Sequence, residues 1–186
     1  MDRTTRRAAL WATAVAVPLT LVVALVAILA TRPDDGTAAE PSATPPRPQA
    51  TTPVAMDAPK LSERATVVCR ALVSQLPTAV RDLRVRPVTA GHEQNAAYGD
   101  PAITVSCGAP KADYPPTDQV FQLNRVCWHQ VDKPGATEWT TVDREVPVRV
   151  TVPKSYDAPG QWTTAFSDTV TATVRSLEKI PTGCKP

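Results

Sequence analysis

The chain reads as α+β: an antiparallel sheet of four to five strands covered by two helices, preceded by one transmembrane helix and a proline-rich linker. Three observations carry this reading. An uncharged run fills residues 8–30, a proline-rich stretch follows it, and beyond residue 60 helical spacing gives way to short alternating segments and then returns. Such an order of periods suits helices packed on one face of an antiparallel sheet.

Ala8 to Ala30 is 23 residues without a charge. At about 1.5 Å per residue it reaches roughly 35 Å, enough for a hydrocarbon core about 30 Å thick. Pro18 falls within it and is tolerated in bilayer helices, where neighbouring groups satisfy the freed carbonyl. Arg3, Arg6 and Arg7 precede the run, whereas Arg32 behind it is followed by Asp34 and Asp35. The basic bias keeps residues 1–7 in the cytoplasm and sends the remainder outside. The run is longer than a cleaved secretory signal needs, and Ile28 with Ala30 makes a poor cleavage pair. The expected location is therefore the cell membrane, crossed once, with the C-terminal domain extracytoplasmic. Small residues four apart, from Ala8 through Ala12 and Ala16 to Ala24, read as alanine-rich composition before they read as a helix-association stripe.

Residues 31–59 read as a disordered linker. Seven prolines occur in the 27 residues from Pro33 to Pro59, with little that is large and apolar. Proline-rich chain extends at about 3.1 Å per residue, so the tether could reach on the order of 80 Å.

The remaining 127 residues, 60–186, suffice for one ordinary domain. Leu61, Ala65, Val68, Cys69, Leu72 and Leu76 keep helical spacing from Ser62-Glu63 to Pro77. Residues 83–88, 102–107, 120–130, 139–143 and 146–152 are rich in β-branched or aromatic side chains and read as strands. The clearest alternation sets Val146, Val148, Val150 and Val152 against Pro147, Arg149 and Thr151, one side apolar and the other wet. Gln161 to Lys179 reads as a last helix, with Phe166, Val170, Val174 and Leu177 as its core stripe.

Cys69, Cys107, Cys127 and Cys184 all lie beyond the apolar run, on the side where disulfides persist. No C-x-x-C occurs, so two structural disulfides are expected rather than a zinc or redox site. Three pairings are open at this point.

The chain carries an ordered series of small motifs: Cys69 on a helix, Leu76-Pro77, Tyr98-Gly99-Asp100-Pro101, Cys107-Gly108, Val126 and Trp128, Thr140-Thr141 with Arg144, and Val148 to Pro153. In this order, over nearly all of residues 60–180, it resembles the actinobacterial domain-of-unknown-function family 3515, whose members are membrane-associated or secreted. Two positions depart from the pattern: Tyr98 stands where the family has Trp, and Asp143 where it has Gly before the arginine. The resemblance implies Cys69 paired with Cys107, which leaves Cys127 with Cys184. It implies no reaction.

Motifs that would carry chemistry are missing. The sequence has no G-x-S-x-G, H-E-x-x-H, G-x-x-x-x-G-K or G-x-G-x-x-G, so no catalytic nucleophile, metal site or cofactor is expected. His92 reads as a loop residue and His129 as an outward-facing strand residue. Asp143 and Glu145 read as charges on a solvated strand, and an acidic hydrolytic pair built on them is the alternative to a binding role. Arg81, Arg84 and Arg86 read as a solvated turn, since 15 Lys and Arg balance 13 Asp and Glu over residues 60–186. So small a net charge also excludes a nucleic-acid partner held by phosphates. Trp128, Trp139 and Trp162 read first as core anchors. Trp128, Trp139 and Arg144 are carried as binding-surface candidates. The expectation is thus an extracytoplasmic binding or interaction module of the cell envelope, with an envelope protein or cell-wall polymer as partner and an envelope hydrolase as the alternative. The residues specify no oligomeric state.

Overall fold

The computed structural model describes residues 21–22, 24–27 and 49–184. The chain divides between Arg47 and Pro48 into two compact units. In the first, the described residues are helical, and Leu21, Val22, Leu25 and Val26 are exposed. The rest of the expected span over 8–30, the basic tail and residues 31–48 of the expected linker lie outside the described residues. Among the described residues no helix is long and apolar enough to cross a membrane.

The second unit is α+β, built on one antiparallel sheet. Its elements are α1 (Glu63–Gln75), β1 (Ala79–Val80), β2 (Leu83–Arg86), β3 (Asn95–Tyr98), β4 (Ile103–Cys107), β5 (Val120–Leu123), β6 (Val126–Asp132), β7 (Ala136–Thr141), β8 (Val148–Pro153) and α2 (Pro159–Thr173). The strands lie in the order β1-β2-β3-β4-β8-β7-β6-β5. The sheet therefore has eight strands where the sequence suggests four or five, and each surplus has a local cause. The run 120–130 is two strands, because Asn124 and Arg125 both take positive φ and close a two-residue hairpin that pairs Leu123 with Val126. Strand β3, Asn-Ala-Ala-Tyr, has no β-branched residue and is held by pairing with β2 and β4. Strand β1 is only two residues long.

Helix α1 begins where Ser62 Oγ accepts the Ala65 amide at 3.2 Å and ends at Leu76, which is extended ahead of Pro77. Helix α2 stops at Thr173, earlier than helical spacing suggests. The chain beyond it pairs with the 143–145 segment: Glu145 N donates to Arg175 O at 2.9 Å and Leu177 N to Asp143 O at 2.8 Å. This pairing turns Leu177 out to 40% exposure, so it is not part of the core stripe. The core lies between the helices and one sheet face. It joins Val68, Cys69 and Leu72 of α1 and Phe166 and Val170 of α2 to Tyr98, Ile103, Val105, Trp128, Trp139 and the three inward valines of β8.

Disulfides join Cys69 to Cys107 and Cys127 to Cys184. The first ties α1 to β4 and the second ties β6 to the C-terminal tail.

The stretch 49–59 is not linker. Val54 pairs with Val88 as a parallel bridge, its amide donating to Pro87 O at 2.8 Å and its carbonyl accepting from Thr89 N at 2.9 Å. Gln49 bonds the backbone of Asp82 and Arg84, and Arg86 Nη2 donates to Thr52 O at 2.7 Å. The proline- and alanine-rich composition is overridden here by backbone groups finding partners on the sheet edge.

Candidate functional site

The helices cover one face of the sheet and leave the other to polar side chains. Register places these in two transverse rows. In one, Asn95 of β3 stands opposite Ser106 of β4, Ser106 opposite Arg149 of β8, Arg149 opposite Thr140 of β7, and Thr140 opposite His129 of β6. In the next, Ala97, Thr104, Thr151, Glu138 and Val131 follow one another across the same five strands. These are the residues that alternate with the buried valines and isoleucine of β4 and β8, so the pleat that builds the core also builds the polar face.

Two segments border this face. On one side the docked stretch is held at residues 57–59: Asn95 Nδ2 donates to Asp57 O at 2.9 Å, and Gln94 Nε2 donates to Pro59 O at 3.2 Å. Near it the chain leaves β4 through Gly108, whose amide donates to Pro147 O at 2.9 Å. Between them lies a groove of about 730 Å³, with Thr104, Ser106, Thr151, Arg149 and Glu138 among its lining side chains. Its charged centre is the Arg149–Glu138 pair, 3.9 Å apart and each about a quarter exposed. Arg149 Nε donates to Thr140 Oγ1 at 3.1 Å, which fixes the plane of the guanidinium. Its terminal nitrogens make no hydrogen bond among the described residues. Asn95, 3% exposed, spends its amide nitrogen on Asp57 O and Ala90 O, while its Oδ1 has no partner among them.

At the other end of the first row His129 is covered. The Tyr114 ring stacks on it at 4.3 Å and 14°, and Asp118 Oδ2 lies 3.2 Å from its Nε2. The register places His129 on the outward face, as its strand position suggests, but it is 5% exposed because the loop carrying Tyr114 and Asp118 closes over it. Its Nδ1 has no hydrogen-bond partner, so no hydroxyl nucleophile is set against it among the described residues. His92 is exposed. Among the described residues no group of three or more His, Cys, Asp or Glu is placed to hold a metal ion.

The residues singled out from sequence lie elsewhere. Trp128 is fully buried, and Trp139 is 4% exposed with Phe121 edge-on at 5.4 Å; both belong to the core rather than to a binding surface. Arg144 is 7% exposed, its guanidinium donating to Val174 O at 3.2 Å and Arg125 O at 2.6 Å, so it braces the chain behind α2 and the β5–β6 turn. Asp143 is not a solvated charge. It is 6% exposed with Oδ1 3.4 Å from Arg144 Nε, a separation that gives an ion pair without hydrogen-bond alignment. Burial pushes its carboxyl above the ordinary range, against the pull of Arg144. Glu145 is taken up by Arg64, at 2.7 Å. Of the three arginines read as a solvated turn, Arg81 lies 4.1 Å over the Trp162 ring and Arg86 has an almost buried side chain. Arg149, Glu138, Asn95, Thr104 and Ser106 were not singled out. Arg149 and Thr151 nonetheless form the wet side of the clearest alternation in the sequence.

The family model described as protein of unknown function (DUF3515) matches residues 15–179. The chain belongs to that family. No curated protein and no solved structure matches it. The motifs that carry the DUF3515 resemblance have structural work in this domain. Tyr98 Oη donates to Pro77 O at 2.8 Å, and Gly99 O accepts from Arg86 Nη1 at 2.8 Å, which ties the Tyr98–Pro101 turn to both Leu76-Pro77 and β2. Thr141 Oγ1 accepts from Val148 N at 2.9 Å. In Cys107-Gly108 the glycine has φ +77°, and a Cβ there would collide with Leu61 Cδ2.

Proposed function

We propose that this chain is a single-pass, membrane-anchored, extracytoplasmic binding module of the cell envelope that engages its ligand without turning it over, and that the groove on the open sheet face is where it does so. The observation that carries the reading is the groove itself: about 730 Å³, floored by hydroxyl, amide and charged side chains whose hydrogen-bonding capacity is only partly used. Concave sites with a few placed polar groups are where small ligands bind. The anchor and orientation rest on the uncharged run 8–30 and the arginines before it. Two disulfides suit an oxidising compartment. The acidic pair considered for hydrolysis is engaged internally, Asp143 with Arg144 and Glu145 with Arg64, which favours binding over turnover.

The test is site-specific photocrosslinking of the full chain in intact cells. A photoreactive residue at Thr151, in the groove, is expected to capture envelope material. The same residue at Val67, 61% exposed on α1, is expected to capture far less. Equal or no capture at Thr151 sinks the reading.

A further inference from the structure

We infer that the groove takes a peptide-like chain with one free carboxylate, the carboxylate lying on Arg149 and an N–H of the chain donating to Asn95 Oδ1. This deepens the binding reading above and rests on it. The two groups stand on one row with Ser106 between them, so they are two strand spacings, about 10 Å, apart. Three extended residues at about 3.4 Å each cover that distance.

Each end of the row asks for a specific partner. Arg149 is pre-oriented by Thr140, and its terminal nitrogens are free of hydrogen bonds among the described residues, with Glu138 at 3.9 Å too far for one. A guanidinium fork so presented suits a planar carboxylate, which it binds through two parallel N–H bonds. Asn95 Oδ1 is buried and unpartnered, and a buried acceptor without a donor is costly to leave so. It wants an N–H or O–H. Ser106, Thr104 and Thr151 line the floor, and a hydroxyl can donate or accept as the ligand requires.

The charge balance narrows the anion. Glu138 and Asp57 line the same groove as Arg149, so the lining carries two carboxylates against one guanidinium. A doubly charged phosphate would meet more repulsion there than a single carboxylate, whose chain also brings N–H donors to face Glu138.

The test uses the full chain in mild detergent with acetyl-trialanine as probe, followed by calorimetry or by chemical-shift perturbation. A Kd of about 1 mM is the order expected for a ligand of this size. Acetyl-trialaninamide, which lacks the carboxylate, is expected to bind at least about tenfold more weakly, and Arg149→Gln should weaken the acid by a similar factor. The comparison of acid and amide on the unaltered chain stands even if the variant fails to fold. The inference is overturned if acid and amide bind equally, if neither binds below about 10 mM, or if inorganic phosphate binds more tightly than the acid. Should any of these occur while crosslinking at Thr151 persists, the binding-module reading survives and only the ligand class is wrong.

Discussion

Arg86 Nη2 donates to both the carbonyl and the hydroxyl of Thr52, at 2.7 and 2.9 Å, and so joins the second strand to chain that composition alone assigns to a tether. The same guanidinium reaches Gly99 O through Nη1. One nearly buried cation thus holds the border of the groove and the Tyr98–Pro101 turn together.

Arg86→Ala is expected to free residues 49–56 while leaving the sheet intact. Four bonds from the guanidinium are lost, two to Thr52, one to Gly99 O and one of 3.4 Å to Asp100 Oδ1, each worth about 1.5–3 kcal/mol at most. Hydrogen exchange reads the result: the amides of Val54 and Thr89, which pair across the bridge, should lose at least tenfold in protection, whereas those of β4 and β8 should not change. Unaltered protection at Val54 would mean that the backbone bridge alone holds the segment.

Asp143 and Arg144 give a buried pair whose members fail differently. Arg144→Ala strands the Asp143 carboxylate and leaves Val174 O and Arg125 O without that donor, a loss of about 3–5 kcal/mol in chemical denaturation. Asp143→Asn acts on the pH profile instead. Because burial raises the Asp143 carboxyl above 3.8, the folded state holds that proton more tightly than the unfolded chain. Its contribution is complete below the unfolded value and is lost as pH rises through the folded one. Asp143→Asn should remove that decline. A profile that keeps the same fall above pH 3.8 in the variant would refute the assignment.

Tyr98 sets the alkaline limit. Burial lifts its hydroxyl to about 12 from 10.0, so the neutral phenol is favoured by folding. Stability from this group is fully present below pH 10 and is lost as pH climbs to about 12, a total of roughly 2–3 kcal/mol. Tyr98→Phe should cost about 1–2 kcal/mol at neutral pH, since Pro77 O loses its donor. It should also flatten the loss between pH 10 and 12. Denaturant melts of both proteins at pH 8 and 11 check both parts.

The elements legible in the sequence are those whose periodicity follows from burial. Helix α1 is written in the spacing of Val68, Cys69 and Leu72, with Ser62 to start it and Pro77 to end it. Strand β8 is written in its valines. Strand β3 was hidden, because two alanines and an asparagine carry no strand signal and the segment is extended only through its neighbours' hydrogen bonds. The end of α2 was hidden for the same kind of reason: Val174 and Leu177 keep helical spacing, but residues 175–177 find backbone partners at 143–145. The groove was least legible of all. Arg149 could be placed on a wet face, yet its alignment with Ser106 and Asn95 is a matter of register between strands far apart in sequence. Arg144 and Asp143 misled because charge in a hydrophilic stretch reads as solvated, and only the chain folding back after α2 buries them.

The two disulfides should differ in what their removal costs. Each closes a loop of comparable length, with separations of 38 and 57 residues. Loop closure in the unfolded chain therefore predicts about 4 kcal/mol for either. Their surroundings differ. Cys69 and Cys107 are 0% and 2% exposed inside the core cluster, where α1 meets β4, so replacing both by Ala also removes packed sulfur and leaves space beside Leu72 and Val105. Cys127 and Cys184 join β6 to a tail that ends the described chain, and only Cys127 lies on a strand. The Cys127→Ala, Cys184→Ala double variant should lower the melting temperature by roughly 15 °C and release the tail, leaving near-ultraviolet circular dichroism of the core tryptophans intact. The Cys69→Ala, Cys107→Ala variant should lower it further and disturb that signal. Equal losses in the two variants would show that chain entropy alone decides, and that the Cys69–Cys107 bond adds nothing as packing.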